Sequence, residues 1–240
     1  MTDPMIVDFH THILPGVDDG SSSLECSCQM LSELAKQGVT HVVATPHFYA
    51  SFDRPERFLE RRRIALDNLR KAMKPEFPQL LVGAEVRFFE GISDCDVLHE
   101  LAIGDTDHIL IEMPGTVWTE RMLRQLAELK SRHGLTPIIA HLDRYIGLIR
   151  SHGIPQMLEG LPVKVQINTD SLLRRTRRRM ALGLLRDGKA HILGTDCHNL
   201  TTRPPQMEKA LDVITRHLGT DTVERICRNS QAILQENRKS

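Results

Sequence analysis

The sequence predicts one parallel α/β domain over residues 1–240, with a (β/α) barrel as the form that suits it. Three observations point there. At 240 residues the chain has about the ~250 that such a barrel uses. About seven apolar runs of strand length alternate with stretches of helical period. Nearly every run also gives out into His, Asp or Glu, and a parallel barrel keeps its functional residues at the C-terminal ends of its strands. With 40% hydrophobic and 26% charged residues the chain has enough apolar material for a full core.

The elements follow in order. Met5–Phe9 is a short apolar strand that runs into His10-Thr11-His12. Ser22-Ser23-Leu24-Glu25 spells a capping box for an amphipathic helix that continues to Lys36 and is stopped by Gly38. His41–Ala44 reads as a buried strand ending in Thr45-Pro46-His47. A helix from Pro55 to about Met73 is charged on one side and carries Ile64, Leu66 and Leu69 on the other. Leu80–Ala84 ends in Glu85, and His108–Ile111 ends in Glu112. A helix from Glu120 to His133 leads through Gly134 into Pro137–Ala140, which ends in His141. Val163–Ile167 ends in Asn168. A basic helical stretch, Leu172–Leu185, precedes Ala190–Thr195, which ends in Asp196 with His198 two residues on. Met207–Asn237 is helical in pattern and carries no evident chemistry.

The strand ends carry the chemistry. An i, i+2 pair on an extended segment projects to one side, so His10 and His12 face a common point. Imidazole and carboxylate side chains together suit a divalent transition metal. Glu85 and Glu112 follow apolar runs directly, where an unpaired carboxylate is expensive; a helix cap or a salt bridge is the plainer account of each. Asp143-Arg144 follows His141 and supplies a carboxylate and a cation. His41, His99, His108, His133, His152, His191 and His217 lie before strands or within helices and read as packing or surface residues. Phe48, Tyr49 and Phe52 either line an aryl pocket or anchor a loop on the rim. Arg174, Arg175, Arg177, Arg178 and Arg179 form a basic patch. It is either a solvated helix face or a surface that captures an acidic or phosphorylated peptide.

Other chemistries fit less well. Lys+Arg and Asp+Glu are equal at 31 each, so no net field draws nucleic acid or an anionic membrane. The polar N-terminus leaves no room for a signal sequence, and no apolar run reaches membrane-span length, so stable membrane insertion is not expected. Five cysteines without a C-x-x-C pair read as reduced thiols of a cytoplasmic protein. Cys197 to Arg203 has the C-x5-R spacing of cysteine-dependent phosphatases. The loop between them holds no glycine to wrap a phosphate, and Asp196 and His198 on either side are better used as ligands.

Assembled, these motifs resemble the polymerase and histidinol phosphatase superfamily, and within it the CpsB/CapC group of bacterial manganese-dependent protein-tyrosine phosphatases. The likeness runs from Asp8-Phe9-His10-Thr11-His12 to Asn229–Leu234, through Thr45-Pro46-His47, Gly83-Ala84-Glu85, Ile111-Glu112, His141-Leu142-Asp143-Arg144 and Gly194-Thr195-Asp196-Cys197-His198. It implies a distorted (β/α)7 TIM-like barrel with two or three divalent ions, Mn²⁺ by expectation, with Fe²⁺ or Zn²⁺ as alternatives. One ion would take His10, His12, Glu85 and Asp196. A second would share Glu85 and add Glu112 and His141. A third would take Asp19, His47 and His198. Arg144 and Arg203 would bind the phosphate. Two positions depart from the group's pattern: Phe48 stands where a histidine or basic residue is frequent, and Asp143 replaces a more usual glutamate.

The expected reaction is phosphomonoester hydrolysis by metal-activated hydroxide, with a metal-bound water near pKa ~7. The implied substrate is a phosphotyrosine protein, the tail of a membrane tyrosine kinase that controls capsule or exopolysaccharide export. The alternatives are a histidinol-phosphatase-like or other small-molecule phosphoesterase and, less favoured, a non-catalytic or nuclease-like metal module. No residue is assigned as general acid.

Overall fold

Strand β1 (Val7–Thr11) is buried along its whole length and forms the seam of the molecule. The computed structural model describes residues 5–148 and 153–236, so His152 and Asn237 lie outside the described residues. After β1 come α1 (Leu24–Lys36), β2 (His41–Ala44), β3 (His47–Phe48), α2 (Pro55–Lys71), β4 (Gln79–Val82) and β5 (Glu85–Arg87). A 3-10 turn over Ile92–Asp94 leads to α3 (Leu98–Leu101), β6 (His108–Glu112), α4 (Glu120–His133), β7 (Thr136–Ile139), α5 (Leu142–Leu148) and α6 (Ile154–Met157). The chain ends with β8 (Lys164–Asn168), α7 (Thr169–Leu173), α8 (Arg175–Arg186), β9 (Ile192–Gly194), α9 (Met207–Leu218) and α10 (Thr220–Gln235).

The strands pair in parallel in two sheets, β1-β2-β4 and β3-β5-β6-β7-β8-β9. The seven predicted staves survive, but two of them are broken. Thr45-Pro46 separates β2 from β3, and Gly83-Ala84 separates β4 from β5. The ladder crosses both gaps, since Gly83 N donates to Ala44 O (2.8 Å) and Glu85 N to Pro46 O (3.0 Å). Pro46 has no N–H of its own to pair, so the stave kinks there. The ring closes between β1 and the end of β9, where Asp196 N donates to His10 O (2.7 Å) and His12 N to Cys197 O (2.9 Å).

Along each stave the side chains alternate between two cores. Val42, Ala44, Ile109 and Ile139 face the surrounding helices. Val7, Val43, Leu110, Ile138 and Ile192 form a second cluster inside the ring, joined by Ile233 of α10.

Several local expectations change. Ser23, not Ser22, caps α1 and accepts from Cys26 N, so Glu25 sits one place too early to complete a capping box. Gly38 (φ +76) and Gly134 (φ +71) end α1 and α4 in the left-handed conformation that glycine adopts without strain. Ile64 faces solvent; Phe58, Ala65, Leu66 and Leu69 are the buried side of α2, which ends at Lys71. The basic stretch breaks at Arg174 into α7 and α8, and the tail breaks at Gly219 into α9 and α10.

Candidate metal centre

The site begins with an irregularity in β1. Val7 pairs with His41 and Asp8 with Val42, but Thr11 pairs with Ala44, so Phe9 and His10 share the single position opposite Val43. Such a bulge reverses the face taken by the residues that follow it. His10 and His12 therefore join Val7 and Val43 on the inner face of the ring. Two glycines make room. A Cβ on Gly194 would lie 2.5 Å from the Cβ of His10, and one on Gly20 would lie 2.2 Å from the carbonyl of His12.

All nine candidate ligands converge on the mouth of the barrel. The Nε2 atoms of His10 and His12 are 3.1 Å apart. Glu85 Oε2 lies 3.2 Å from His10 Nε2, 3.4 Å from His12 Nε2 and 2.9 Å from His47 Nδ1. Its other oxygen is 2.8 Å from His141 Nε2. Asp196 Oδ1 lies 3.4 Å from His12 Nε2 and 3.7 Å from both His10 Nε2 and His198 Nδ1. Asp19 is largely exposed, yet its Oδ1 comes within 3.5 Å of His47 Nε2 and 3.4 Å of His198 Nε2. Glu112 is half-buried, 3.9 Å from His141 and 3.4 Å from Arg87. The tightest groupings differ from the expected ones: His12 also gathers with Asp19, His47 and His198, His47 takes the place of His141 beside Glu85 and Glu112, and Asp196 stands outside the group of His10, His12 and Glu85.

Partners that sequence reasoning did not assign orient these ligands. His12 Nδ1 donates to Asp18 Oδ2 (2.7 Å), which also accepts from His47 N (2.9 Å). His10 Nδ1 donates to Gln166 Oε1 (3.3 Å), and the same oxygen accepts from His141 N (2.7 Å). Both histidines thus keep their Nε2 lone pairs for the cage, as a ligating imidazole requires. Asn168 Nδ2 donates to Asp196 Oδ2 (2.8 Å). Asp143 does not orient His141; it accepts from Asn168 N and Ser171 Oγ and so ties the end of β8 to α7. Asp8 accepts from Thr195 N (2.8 Å) and Thr195 Oγ1 (2.6 Å), bracing the seam, and burial raises its carboxyl to about 6. In the sequence, Asn168 already stands out as a strand end and Asp18 as the neighbour of Asp19, but neither is given a partner there.

The backbone and the charges are both under tension here. His141 (φ 34) and Asp196 (φ 54) are the two non-glycine residues with positive φ among the described residues. Strain of this kind is characteristic of functional sites. Burial alone would raise the Glu85 carboxyl, but His10, then His12 and His141, outweigh it and hold it well below the usual range. Asp196 behaves likewise, with His10, His12 and Arg144 outweighing burial. Burial would lower His10, but Glu85 and Asp196 raise it; His12 is raised well above its ordinary value, against burial, chiefly by Asp18, Asp196 and Glu85. His198 instead falls to about 4, through burial and then His12 and Arg203.

The donor set fits divalent cations. The Nε2 atoms of His10 and His12, 3.1 Å apart and both beside Glu85 and Asp196, are spaced as two ligands of one ion are. Three atoms of the cage, His47 Nδ1, Glu85 Oε2 and His141 Nδ1, are buried without a hydrogen bond. Oxygen and nitrogen donors with no thiolate suit Mn²⁺, Fe²⁺ or Zn²⁺.

Arg144 and Arg203 stand beside this cage. Arg144 Nη2 pairs with Asp196 Oδ2, and Arg203 Nη2 lies 2.5 Å from Asp196 Oδ1. Arg203 Nη1 also donates to His198 Nε2 (2.7 Å). The two arginines line a cavity of ≈ 260 Å³ together with Arg174 and Arg177. The rest of the basic patch is elsewhere: Arg175, Arg178 and Arg179 line a separate groove, and Arg178 donates to the carbonyls of Leu172 and Leu173. Cys197 is fully buried, and burial, then Asp8, raises its thiol well above the ordinary value, which removes the thiolate that a cysteine mechanism needs. Of the rim aromatics, Phe48 is the anchor, buried against Phe58 at 5.0 Å between centroids, whereas Phe52 is 89% exposed.

Three comparisons place the chain in a family and match its fold. Residues 6–235 match the family described as Capsular polysaccharide synthesis, CpsB/CapC. The tyrosine-protein phosphatase YwqE of Bacillus subtilis (strain 168) is 28% identical over 236 residues, covering 96% of this chain and 92% of that protein. The tyrosine-protein phosphatase CpsB of Streptococcus agalactiae is 26% identical over 246 residues, covering 97% and 99%. The fold matches a solved structure from the pair YwqE of Bacillus subtilis and CpsB of Streptococcus pneumoniae, described as unique metal-dependent tyrosine phosphatases. The TM-score is 0.84 at 24% identity, over 98% of this chain and 96% of that one. With the family matched from β1 to the end of α10, the chain belongs to the CpsB/CapC family of capsular polysaccharide synthesis.

Proposed function

We propose that this protein is a metal-dependent protein-tyrosine phosphatase of the cytoplasm whose substrate is the phosphorylated tail of a tyrosine kinase in capsule or exopolysaccharide export. The observation that carries the reading is Glu85. Its Oε2 is faced by three imidazoles within 3.4 Å, and no lysine or arginine among the described residues pairs with it. The names of the CpsB/CapC relatives supply the reaction class.

In this reading His10, His12, Glu85 and Asp196 hold one cation, Glu85, Glu112 and His141 a second, and Asp19, His47 and His198 a third, with Mn²⁺ the favoured ion. Bound cations supply the Lewis acidity that activates water near neutral pH and offsets phosphoryl charge. The chain supplies the rest. Arg144 and Arg203 bind the non-bridging phosphoryl oxygens through charge-assisted hydrogen bonds. Asp196, gripped by both, fixes their position relative to the cage. Arg174 and Arg177 share the same cavity and attract the acidic or phosphorylated flanks of a peptide. A phenol of pKa ~10 departs more readily than an alkoxide, so the site depends little on a general acid.

The test is chelation followed by add-back. Activity on a phosphotyrosine peptide should vanish on metal removal, return with Mn²⁺ more than with Fe²⁺ or Zn²⁺, exceed that on histidinol phosphate, and survive Cys197→Ala. Activity that survives exhaustive chelation but is lost in Cys197→Ala would overturn the proposal.

A further inference from the structure

Two openings flank the cage, and only the second has an aromatic wall. The first, beside Arg144 and Arg203, is lined mainly by charged and hydroxyl-bearing side chains. The second, of ≈ 430 Å³, reaches the cage at Asp19 and His47; Val17, Tyr49 and Phe52 form an apolar wall, and Asp18, Asp53 and Arg61 line the remainder. An aromatic ring placed in the first would strand polar groups away from water, which costs free energy. In the second it would meet apolar surface.

Phe52 is the unexplained residue of that second opening. Its ring is 89% exposed, although the loop that carries it is fixed without it. Phe52 N and Asp53 N both donate to Tyr49 O (2.9 and 3.0 Å), and Asp53 pairs with Arg61 at 2.6 Å. Phe48 pins the start of the loop to Phe58. Folding therefore gains little from the Phe52 ring, which stands edge-on to Tyr49 at 85° and 6.5 Å between centroids. Tyr49 in turn lies over His47, centroids 5.1 Å apart and planes 24° from parallel. The aromatic wall thus continues into the cage through a side chain common to both.

The geometry points to Tyr49 and Phe52 as the recognition site for the aryl ring of the substrate, with the phosphoryl group turned toward Arg144 and Arg203. This assignment rests on the phosphotyrosine reading above and deepens it. Offset or edge-to-face contact with Phe52 and Tyr49 would favour an aryl leaving group, and covering Phe52 would remove apolar surface from water. The guanidiniums on the other side of the cage would then hold the anion, so the two openings fix one orientation of the ester.

The experiment uses Phe52→Ala in the full chain loaded with Mn²⁺. Because the ring is exposed, the thermal midpoint should not change. KM for a phosphotyrosine peptide should rise about tenfold, the size of one aromatic contact, with kcat little changed. Competitive inhibition by inorganic phosphate, which has no ring, should be unaffected, and Phe52→Tyr should restore KM. An active wild type with an unchanged KM in Phe52→Ala, or with phosphate inhibition weakened in parallel, overturns this inference alone. A loaded wild type without activity on phosphotyrosine overturns the underlying reading, and this inference with it.

Discussion

At the mouth of the barrel Glu85 is surrounded by four imidazoles, while at its base His108 lies between two carboxylates. His108 Nδ1 is 2.9 Å from Asp107 Oδ1, and its Nε2 is 3.6 Å from Glu236 Oε2. Both places hold buried ring nitrogens without hydrogen bonds. The difference lies in which cation reaches the carboxylate. Lys130 Nζ already sits 2.5 Å from Asp107, and Glu236 is 55% exposed, so water and a lysine serve the acids at the base. Burial lowers the His108 pKa, leaving that ring neutral. At the mouth no lysine or arginine among the described residues pairs with Glu85, and two candidate ligands, His141 and Asp196, are held in strained backbone. Histidine beside carboxylate is therefore weak evidence for a metal centre. A buried carboxylate that only imidazoles face is stronger.

Substitutions at the two ends should separate them. Glu85→Gln should produce the largest effect, a loss of phosphatase activity beyond the about 10–100-fold that losing an outer partner costs, with a matching loss of bound metal. His108→Gln should leave kcat/KM and catalytic metal content unchanged. Equal losses in the two variants, measured by steady-state kinetics and metal analysis, would erase the distinction.

Asp18→Asn should fall between these extremes. Asp18 accepts from His12 Nδ1 and from His47 N, so the amide would weaken the orientation of two ligands at once. Metal affinity should drop about 10–100-fold, and excess Mn²⁺ should recover part of the activity. Failure of added metal to restore any turnover would argue that Asp18 acts in some other way.

The smallest effect belongs to the base. His191 Nδ1 accepts from Val165 N (3.1 Å), and burial, then Lys164 and Arg225, lowers its pKa to about 4. Below about pH 6.5 the unfolded chain takes up a proton that the folded imidazole refuses. Stability from this group is therefore full above pH 6.5, declines as pH falls towards 4, and levels off below. Urea midpoints should decrease over that window, and His191→Gln should flatten the decline. An unchanged slope in the variant would show that the acid sensitivity arises elsewhere.

How much of this was legible beforehand depended on the range of the interaction concerned. The bounds of α1 and α4 followed from Gly38 and Gly134, whose left-handed conformation is a local matter. The i, i+2 spacing of His10 and His12 correctly placed both rings on one side. The same reasoning could not see the bulge opposite Val43, because register belongs to a pair of strands. Nor could it see that Arg174 and Arg177 share a cavity with Arg144 while Arg178 turns away to cap Leu172 and Leu173.

By itself, then, the sequence determined the parallel α/β class, the count of staves and the side chains that end them. Periodicity and chain-end chemistry are written residue by residue, and six strand ends carrying metal-competent groups need no coordinates to be noticed. Only the tertiary structure decided which of them meet, that Asp18, Gln166 and Asn168 hold them in place, that Cys197 is sealed in the core, and that Phe52 is left in water beside the cage. Those outcomes depend on partners up to 187 positions away, as in the grip of Asp8 on Thr195, and closure of the ring is what brings such partners together.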